Sequence, residues 1–123
     1  MCAKRAQNYD CPVRDVLDRV GDAWSVLVIL ELSKGNARFN ALSRVVGGIS
    51  PRMLSVTLRH LERDGLVART VIDVKPPQVD YGLTELGRSL YRAIGALSHW
   101  AEQHQPAIRE SRTAFDSAQD VAA

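Results

Sequence analysis

The sequence predicts a mainly α fold that carries one small β-hairpin. Three observations predict it. Apolar residues recur at helical spacing through most of the 123 residues, and the period shortens to two only between residues 66 and 83. A three-residue turn containing glycine, Gly47 to Ile49, joins two of the helices. A chain of this length holds one domain with its own core, spanning 1–123, and is too short for two full ones. Its composition, 46% hydrophobic and 24% charged, is that of an ordinary globular protein rather than a disordered tail or a fibre.

The elements follow in order. In "CPVRDVLDRVGD", Val13, Val16, Leu17 and Val20 fall at i, i+3, i+4 and i+7, with Arg14, Asp15, Asp18 and Arg19 on the other face. Pro12 suits the first turn of this short helix and Gly21 its end. "DAWSVLVILELSKG" is apolar nearly all round, so periodicity alone does not separate a helix from a buried strand. Asp22 as N-cap, with Lys34 and Gly35 at the far end, decides for a buried central helix. A short extended stretch at Ala37 to Phe39 leads into a helix from about Asn40 to Val46, with Leu42, Val45 and Val46 inward. Beyond the glycine turn, Ser50 caps a new helix with Pro51 at its first position. Leu54, Leu58 and Leu61 line its inner side, and Gly65 ends it.

The change of period comes next. "LVARTVIDV" places Leu66, Ala68, Ile72 and Val74 on one side, and "VDYGL" places Val79, Tyr81 and Leu83 on one side. "KPPQ" between them makes a hairpin with a stiff, exposed tip. From Thr84 a long helix carries Leu86, Leu90, Ile94, Leu97 and Ala101 as one stripe, broadened by Tyr91 and Trp100. Its length exceeds what so small a domain can cover, so a partner chain is expected to complete the stripe. Pro106 is expected to break or kink this helix, with a shorter amphipathic piece to about residue 118 and a frayed end.

Two helices joined by a glycine turn, then a hairpin, then a further helix, give a winged helix-turn-helix, to which the resemblance described below adds N- and C-terminal dimerisation helices. The helix-turn-helix covers about 40–64, the wing about 66–84 and the C-terminal helices about 85–118. Charge adds the functional direction. The net charge is only +2, yet residues 34 to 63 hold Lys34, Arg38, Arg44, Arg52, Arg59 and Arg63 against Glu62 alone, a local +5. Positive charge gathered around a helix-turn-helix points to the phosphates of double-stranded DNA.

Groups that reach phosphate must be cationic or carry a hydroxyl, and groups that reach base edges must project from the first turns of a helix that fits the major groove. With the leucines inward, Arg52, Ser55, Val56, Arg59 and Arg63 lie on or near the outer side. Ser50 and Pro51 lead into the groove. Arg52 is placed for guanine or phosphate, Ser55 and Val56 for base edges, and Thr57 and Arg59 for flanking phosphate. Arg38 and Lys75, the latter at the wing tip, complete the candidate set.

These motifs also resemble a known family, the HxlR family of bacterial winged helix-turn-helix regulators. The likeness runs over nearly the whole length, from "CPVRDVLDRVGDAWSVLVILEL" through "RFNALSRVVGGISPRMLSVTLRHLERDGLVART" to "PPQVDYGLTELGRSLYRAIGALSHWAEQH". It implies a homodimer joined through terminal helices that binds a pseudo-palindromic operator as a repressor or activator. It also implies that the helix from Ser50 reads DNA and that the hairpin around Lys75 to Gln78 is the wing. Gly82 stands where serine is commoner in the family, which is expected to weaken that strand locally. Val13, Leu90, Ile94, Leu97 and Trp100 are the candidate dimer contacts.

Both cysteines, Cys2 and Cys11, lie in the first eleven residues and do not form a disulfide framework. Cys11 precedes a helix start, where the helix dipole and Arg14 one turn away favour a thiolate. The resemblance implies a candidate oxidant or electrophile sensor at this "CPV" position; the plainer alternative is a small residue packed at the dimer interface. Cys2 reads as a bystander. Trp24, Tyr91 and Trp100 at helical spacing read as core or dimer contacts more readily than as a ligand pocket.

His99 and His104 are off one helical face and His60 has no carboxylate or thiol at ligand spacing, so neither a metal nor another cofactor is expected. No set of nucleophile, base and acid appears, so no enzyme is expected. There is no membrane span and no export signal in "MCAKRAQNYDCPV", which places the expected location in the cytoplasm. The competing class is a winged-helix adaptor for protein interaction or dimerisation, without specific DNA binding.

Overall fold

A computed structural model describes residues 11–72 and 75–122. The element order is α1 (Pro12–Val20), α2 (Ala23–Leu32), β1 (Ala37–Arg38), α3 (Phe39–Val45), α4 (Pro51–Arg63), β2 (Val67–Ile72), β3 (Gln78–Leu83) and α5 (Glu85–Ala122). Contacts divide the chain into two units, Met1–Tyr91 and Arg92–Ala123. No helix among the described residues is long and apolar enough to cross a membrane.

In the first unit, α2 is apolar on most sides because it has neighbours on most sides: it packs against α1, α3, α4 and β3. Val28, Ile29 and Leu32 from α2 meet a core that also contains Leu42, Val46, Ile49, Leu54, Leu58, Leu61, Leu66, Val67 and Leu83, all buried. Asp22 caps α2, accepting from the Trp24 amide at 3.2 Å and the Ser25 hydroxyl at 2.8 Å. The hydroxyl of buried Ser25 is thereby satisfied.

The three strands form one antiparallel sheet in the order β1-β3-β2. Ala37 pairs with Tyr81 and Arg38 with Asp80, so the short stretch before α3 closes the sheet on the side of β3 away from β2. The β2–β3 register runs from Val67 opposite Leu83 at the root to Ile72 opposite Gln78. Only the root reaches the core. Leu66 and Val67 are both buried, whereas Ala68 through Val71 are exposed. The alternation expected for β2, with Ala68 inward beside Leu66, therefore fails because the strand leaves the core after its first residue. Val74 lies outside the described residues. Gly82 has a packing role: a Cβ there would overlap the side-chain amide of Asn36. Glycine lets Asn36 lie directly on β3, where serine would not fit without movement.

A two-residue turn connects α4, the wing and α5. Gly65 adopts φ of 77°, the left-handed conformation that ends α4. Its amide donates to the Glu62 carbonyl and that of Leu66 to the Leu61 carbonyl, each at 3.0 Å, a paired closure that satisfies the last carbonyls of the helix. Thr84 then ties the start of α5 to the same turn. Its amide donates to the Leu66 carbonyl at 3.1 Å, its hydroxyl donates to the Gly65 carbonyl at 2.6 Å, and the hydroxyl oxygen accepts from the Gly87 amide at 3.0 Å.

The second unit consists of α5 from Arg92 onward. Of the break or kink expected at Pro106, the break is absent: α5 is a single helix of 38 residues with Pro106 inside it. Proline removes one backbone bond, the one to the Glu102 carbonyl, and both residues are exposed, so water can satisfy the freed group. Trp100 and His104 stack with centroids 4.5 Å apart, and His104 Nδ1 lies 2.8 Å from the Trp100 carbonyl oxygen.

Candidate nucleic-acid interface

The helix pair is built as its sequence dictates. Arg38 occupies the N-cap of α3, and the chain turns through Gly47 and Gly48, the latter at φ of 85°. Trp24 flanks this turn, its Cη2 3.7 Å from where a Gly48 Cβ would stand. Ser50 then caps α4: its side-chain oxygen accepts from the Met53 amide at 3.0 Å, and Pro51 takes the first helical position. The Ser50 hydroxyl hydrogen remains available to an acceptor, and Ser50 is exposed.

Burial divides α4 into two sides. Leu54, Thr57, Leu58 and Leu61 are buried, at i, i+3, i+4 and i+7. Opposite them run Arg52, Val56, Arg59 and Arg63, at i, i+4, i+7 and i+11, all exposed. That outer stripe is about 16 Å long at the helical rise per residue. Ser55 and Glu62 flank it on one side, Met53 and His60 on the other, and all four are exposed.

Thr57 departs from the expectation of a phosphate contact. It is 1% exposed and its Oγ1 has no hydrogen-bond partner among the described residues. Its position three residues after Leu54 and four before Leu61 puts it on the core stripe, where its methyl packs and its hydroxyl cannot reach solvent.

Among the described residues, no carboxylate neutralises the arginines of the helix pair. Among the described residues the ion pairs are Arg19 with Asp64 at 2.6 Å and Lys34 with Glu31 at 3.0 Å. Lys34 therefore belongs less to the basic cluster than its place in the sequence implies. Arg38, Arg44, Arg52, Arg59 and Arg63 are exposed and make no ion pair among the described residues. Lys75 is exposed near the wing tip, next to a cis bond to Pro76. Arg69, exposed on β2, is a further cation of the wing that sequence reasoning does not single out. Its only signal in the sequence is its charge within the predicted hairpin, since Ala68 beside it is exposed as well.

The candidate dimer residues separate. Val13, Leu97 and Trp100 are 52%, 56% and 51% exposed, so apolar surface there is uncovered in the single chain. Leu90 is half-buried. Ile94 is 3% exposed, unlike the other members of this set. On α1, none of the helix is buried, and Val16 and Leu17 lie open beside Val13.

Cys11 is the N-cap of α1, 3% exposed, with its Sγ accepting from the Arg14 amide at 3.4 Å. It is disulfide-bonded, where the sequence leads one to expect a thiol. Cys2 lies outside the described residues. At its far end α1 is held to α4: Arg19 Nε donates to Asp64 Oδ2, and Asp64 is the C-cap of α4.

The family description HxlR-like helix-turn-helix matches residues 19–109, which includes α2, the helix pair, the sheet and much of α5. The chain belongs to the HxlR-like helix-turn-helix family. It is similar to the HTH-type transcriptional regulator YtfH of Escherichia coli, 41% identical over 107 residues, covering 85% of each chain. Among solved structures it is similar to the transcriptional regulator ytfH of Salmonella typhimurium, with a TM-score of 0.76 and 39% identity over 85% of this chain and 94% of that one. It is also similar to the redox regulator HypR in its oxidized form, with a TM-score of 0.71 and 40% identity over 76% of this chain and 96% of that one. The HxlR-like architecture thus agrees with the winged helix-turn-helix expected from the element order.

Proposed function

We propose that this HxlR-like protein is a homodimeric transcriptional regulator that binds double-stranded DNA sequence-specifically, with α4 in the major groove and the wing toward neighbouring phosphates. The observation that carries the reading is the outer stripe of α4: three exposed arginines without ion pairs among the described residues, on a helix whose opposite side is fixed in the core. Guanidinium groups so placed suit phosphate oxygens and the O6/N7 edge of guanine. The uncovered apolar residues of α1 and of α5 support a second copy of the chain as the partner. Two α4 helices related by a two-fold axis would meet half-sites about one turn of DNA apart, hence a pseudo-palindromic operator.

Arg52→Ala and Arg59→Ala are each expected to weaken operator binding by about 1–3 kcal/mol for a base contact, or to lower the salt slope by about one for a phosphate contact. Their melting curves should match the wild type, because both side chains are exposed. Gel-shift titrations at several salt concentrations check this. Unchanged affinity and slope in both variants would remove α4 from the interface. An adaptor that does not read DNA would show little binding to any duplex, at any salt.

The regulatory input we propose is an oxidant or electrophile acting on the reduced Cys11 thiol, the disulfide described above being the oxidised form. Its support is the position of Cys11: it caps one end of α1, and the other end of α1 is bonded through Arg19 to the C-cap of the reading helix. The likeness to a redox regulator points the same way. Operator affinity of the wild type is expected to change roughly five-fold or more between reduced and oxidised protein. Cys11→Ser should not respond, and an equal response in that variant would reject Cys11 as the sensor.

A further inference from the structure

The outer stripe of α4 has one member that is not a cation. Val56 stands between Arg52, one turn before it, and Arg59, one turn after it, and is 39% exposed. It has no hydrogen-bonding group of its own. Being β-branched, it is held near one χ1 rotamer in a helix, so its methyls project at a defined place on the stripe.

Resting on the DNA-binding reading, we infer that Val56 reads thymine through its C5 methyl. In the major groove guanine, adenine and cytosine present donors and acceptors at their edges, and thymine alone adds an apolar group. An isopropyl group facing a polar edge would strip it of water and return no hydrogen bond. Facing thymine, it covers one methyl with another. Selectivity thus arises as much from what Val56 cannot satisfy as from what it contacts. Arg52, a turn earlier on the same stripe, supplies the polar reading beside it, and guanine is the base its fork of donors fits. Met53, the other exposed apolar residue of α4 at 41%, lies off the stripe beside His60 and is long and flexible, so it does not define a position as Val56 does.

The test uses the full-length protein and duplexes that it selects from a random library. The tightest duplex is remade with deoxyuridine in place of each thymidine in turn, which removes the methyl and leaves the hydrogen-bonding pattern intact. One replacement per half-site is expected to weaken wild-type binding about four-fold, the effect of one methyl group losing its burial. Val56→Ala should bind the same pair of duplexes with less than about a two-fold difference, with an unchanged circular dichroism spectrum and salt slope. If no deoxyuridine duplex binds the wild type more weakly, or if Val56→Ala loses as much as the wild type, the inference is overturned and the DNA-binding reading stands on its selection and salt slope. If no duplex is enriched and no salt-dependent binding is seen, both are overturned.

Discussion

Replacing Leu58 with alanine is expected to lower the stability of the protein by about 2–5 kcal/mol. Leu58 is 1% exposed and lies on the inner side of α4, which packs against α2 and β2. Truncation removes three carbon atoms from the packed side of α4, and the cavity left adds to the lost burial. The loss is a large share of the total stability of a small domain, and the melting temperature should fall on the order of 10 °C or more. DNA binding would fall with it, because the helix that carries Arg52, Val56 and Arg59 would be loosened. Thermal melting separates this cause from the arginine substitutions: Leu58→Ala shifts the melt, Arg52→Ala does not. A melt indistinguishable from that of the wild type would show that Leu58 is not part of the core.

The second large effect is expected at Gly87. A Cβ there would overlap the Leu66 carbonyl oxygen and lie 3.2 Å from Leu83 Cδ2. The Leu66 carbonyl cannot swing aside, since it accepts from the Thr84 amide and belongs to the turn that closes α4. Gly87→Ala should therefore cost about 3 kcal/mol, in the upper range for overpacking against backbone, although alanine is the better helix former. Gly95 in the same helix is the control, since a Cβ added there would meet nothing within 4 Å. Gly95→Ala should stabilise by up to about 1 kcal/mol through helix propensity alone. Opposite signs in parallel denaturant titrations would confirm the contrast, and a neutral Gly87→Ala would show that the approach of α5 to Leu66 is looser than these distances imply.

The starts of the helices are legible in the sequence because their causes are local. Pro12, Asp22 and the pair Ser50–Pro51 act within one turn of themselves, and each stands where the pattern places it. The outer stripe of α4 is equally legible, since 3.6-residue periodicity needs no knowledge of the partner surface. The failures have different causes. Thr57 looks like a phosphate contact by its chemistry, but the angle it takes on the helix is fixed by Leu54 and Leu61, and position outweighs residue type. Ile94 belongs to an apolar stripe whose members are indistinguishable in sequence, yet it is buried in the chain itself while Leu97 is open. Pro106 suggests a break because proline removes a bond; the remaining bonds of so long a helix hold it together. Gly87 is required by the Leu66 backbone and Gly82 gives the Asn36 side chain its place, neighbours that only the folded chain supplies.

The turn at Gly65 and Leu66 receives the last carbonyl bonds of α4, begins β2 and is bonded to the first residues of α5 through Thr84. Helix α4 and the root of the wing thus share a single anchor, and Ser50 caps the other end of α4. A helix anchored at its C-terminal end and buried along Leu54, Thr57, Leu58 and Leu61 has little freedom left to lose on meeting a duplex, so association would spend little of its driving force on ordering protein. The adjustment would fall on the DNA, and sequences that deform easily to match a rigid surface would be favoured even at positions no side chain touches.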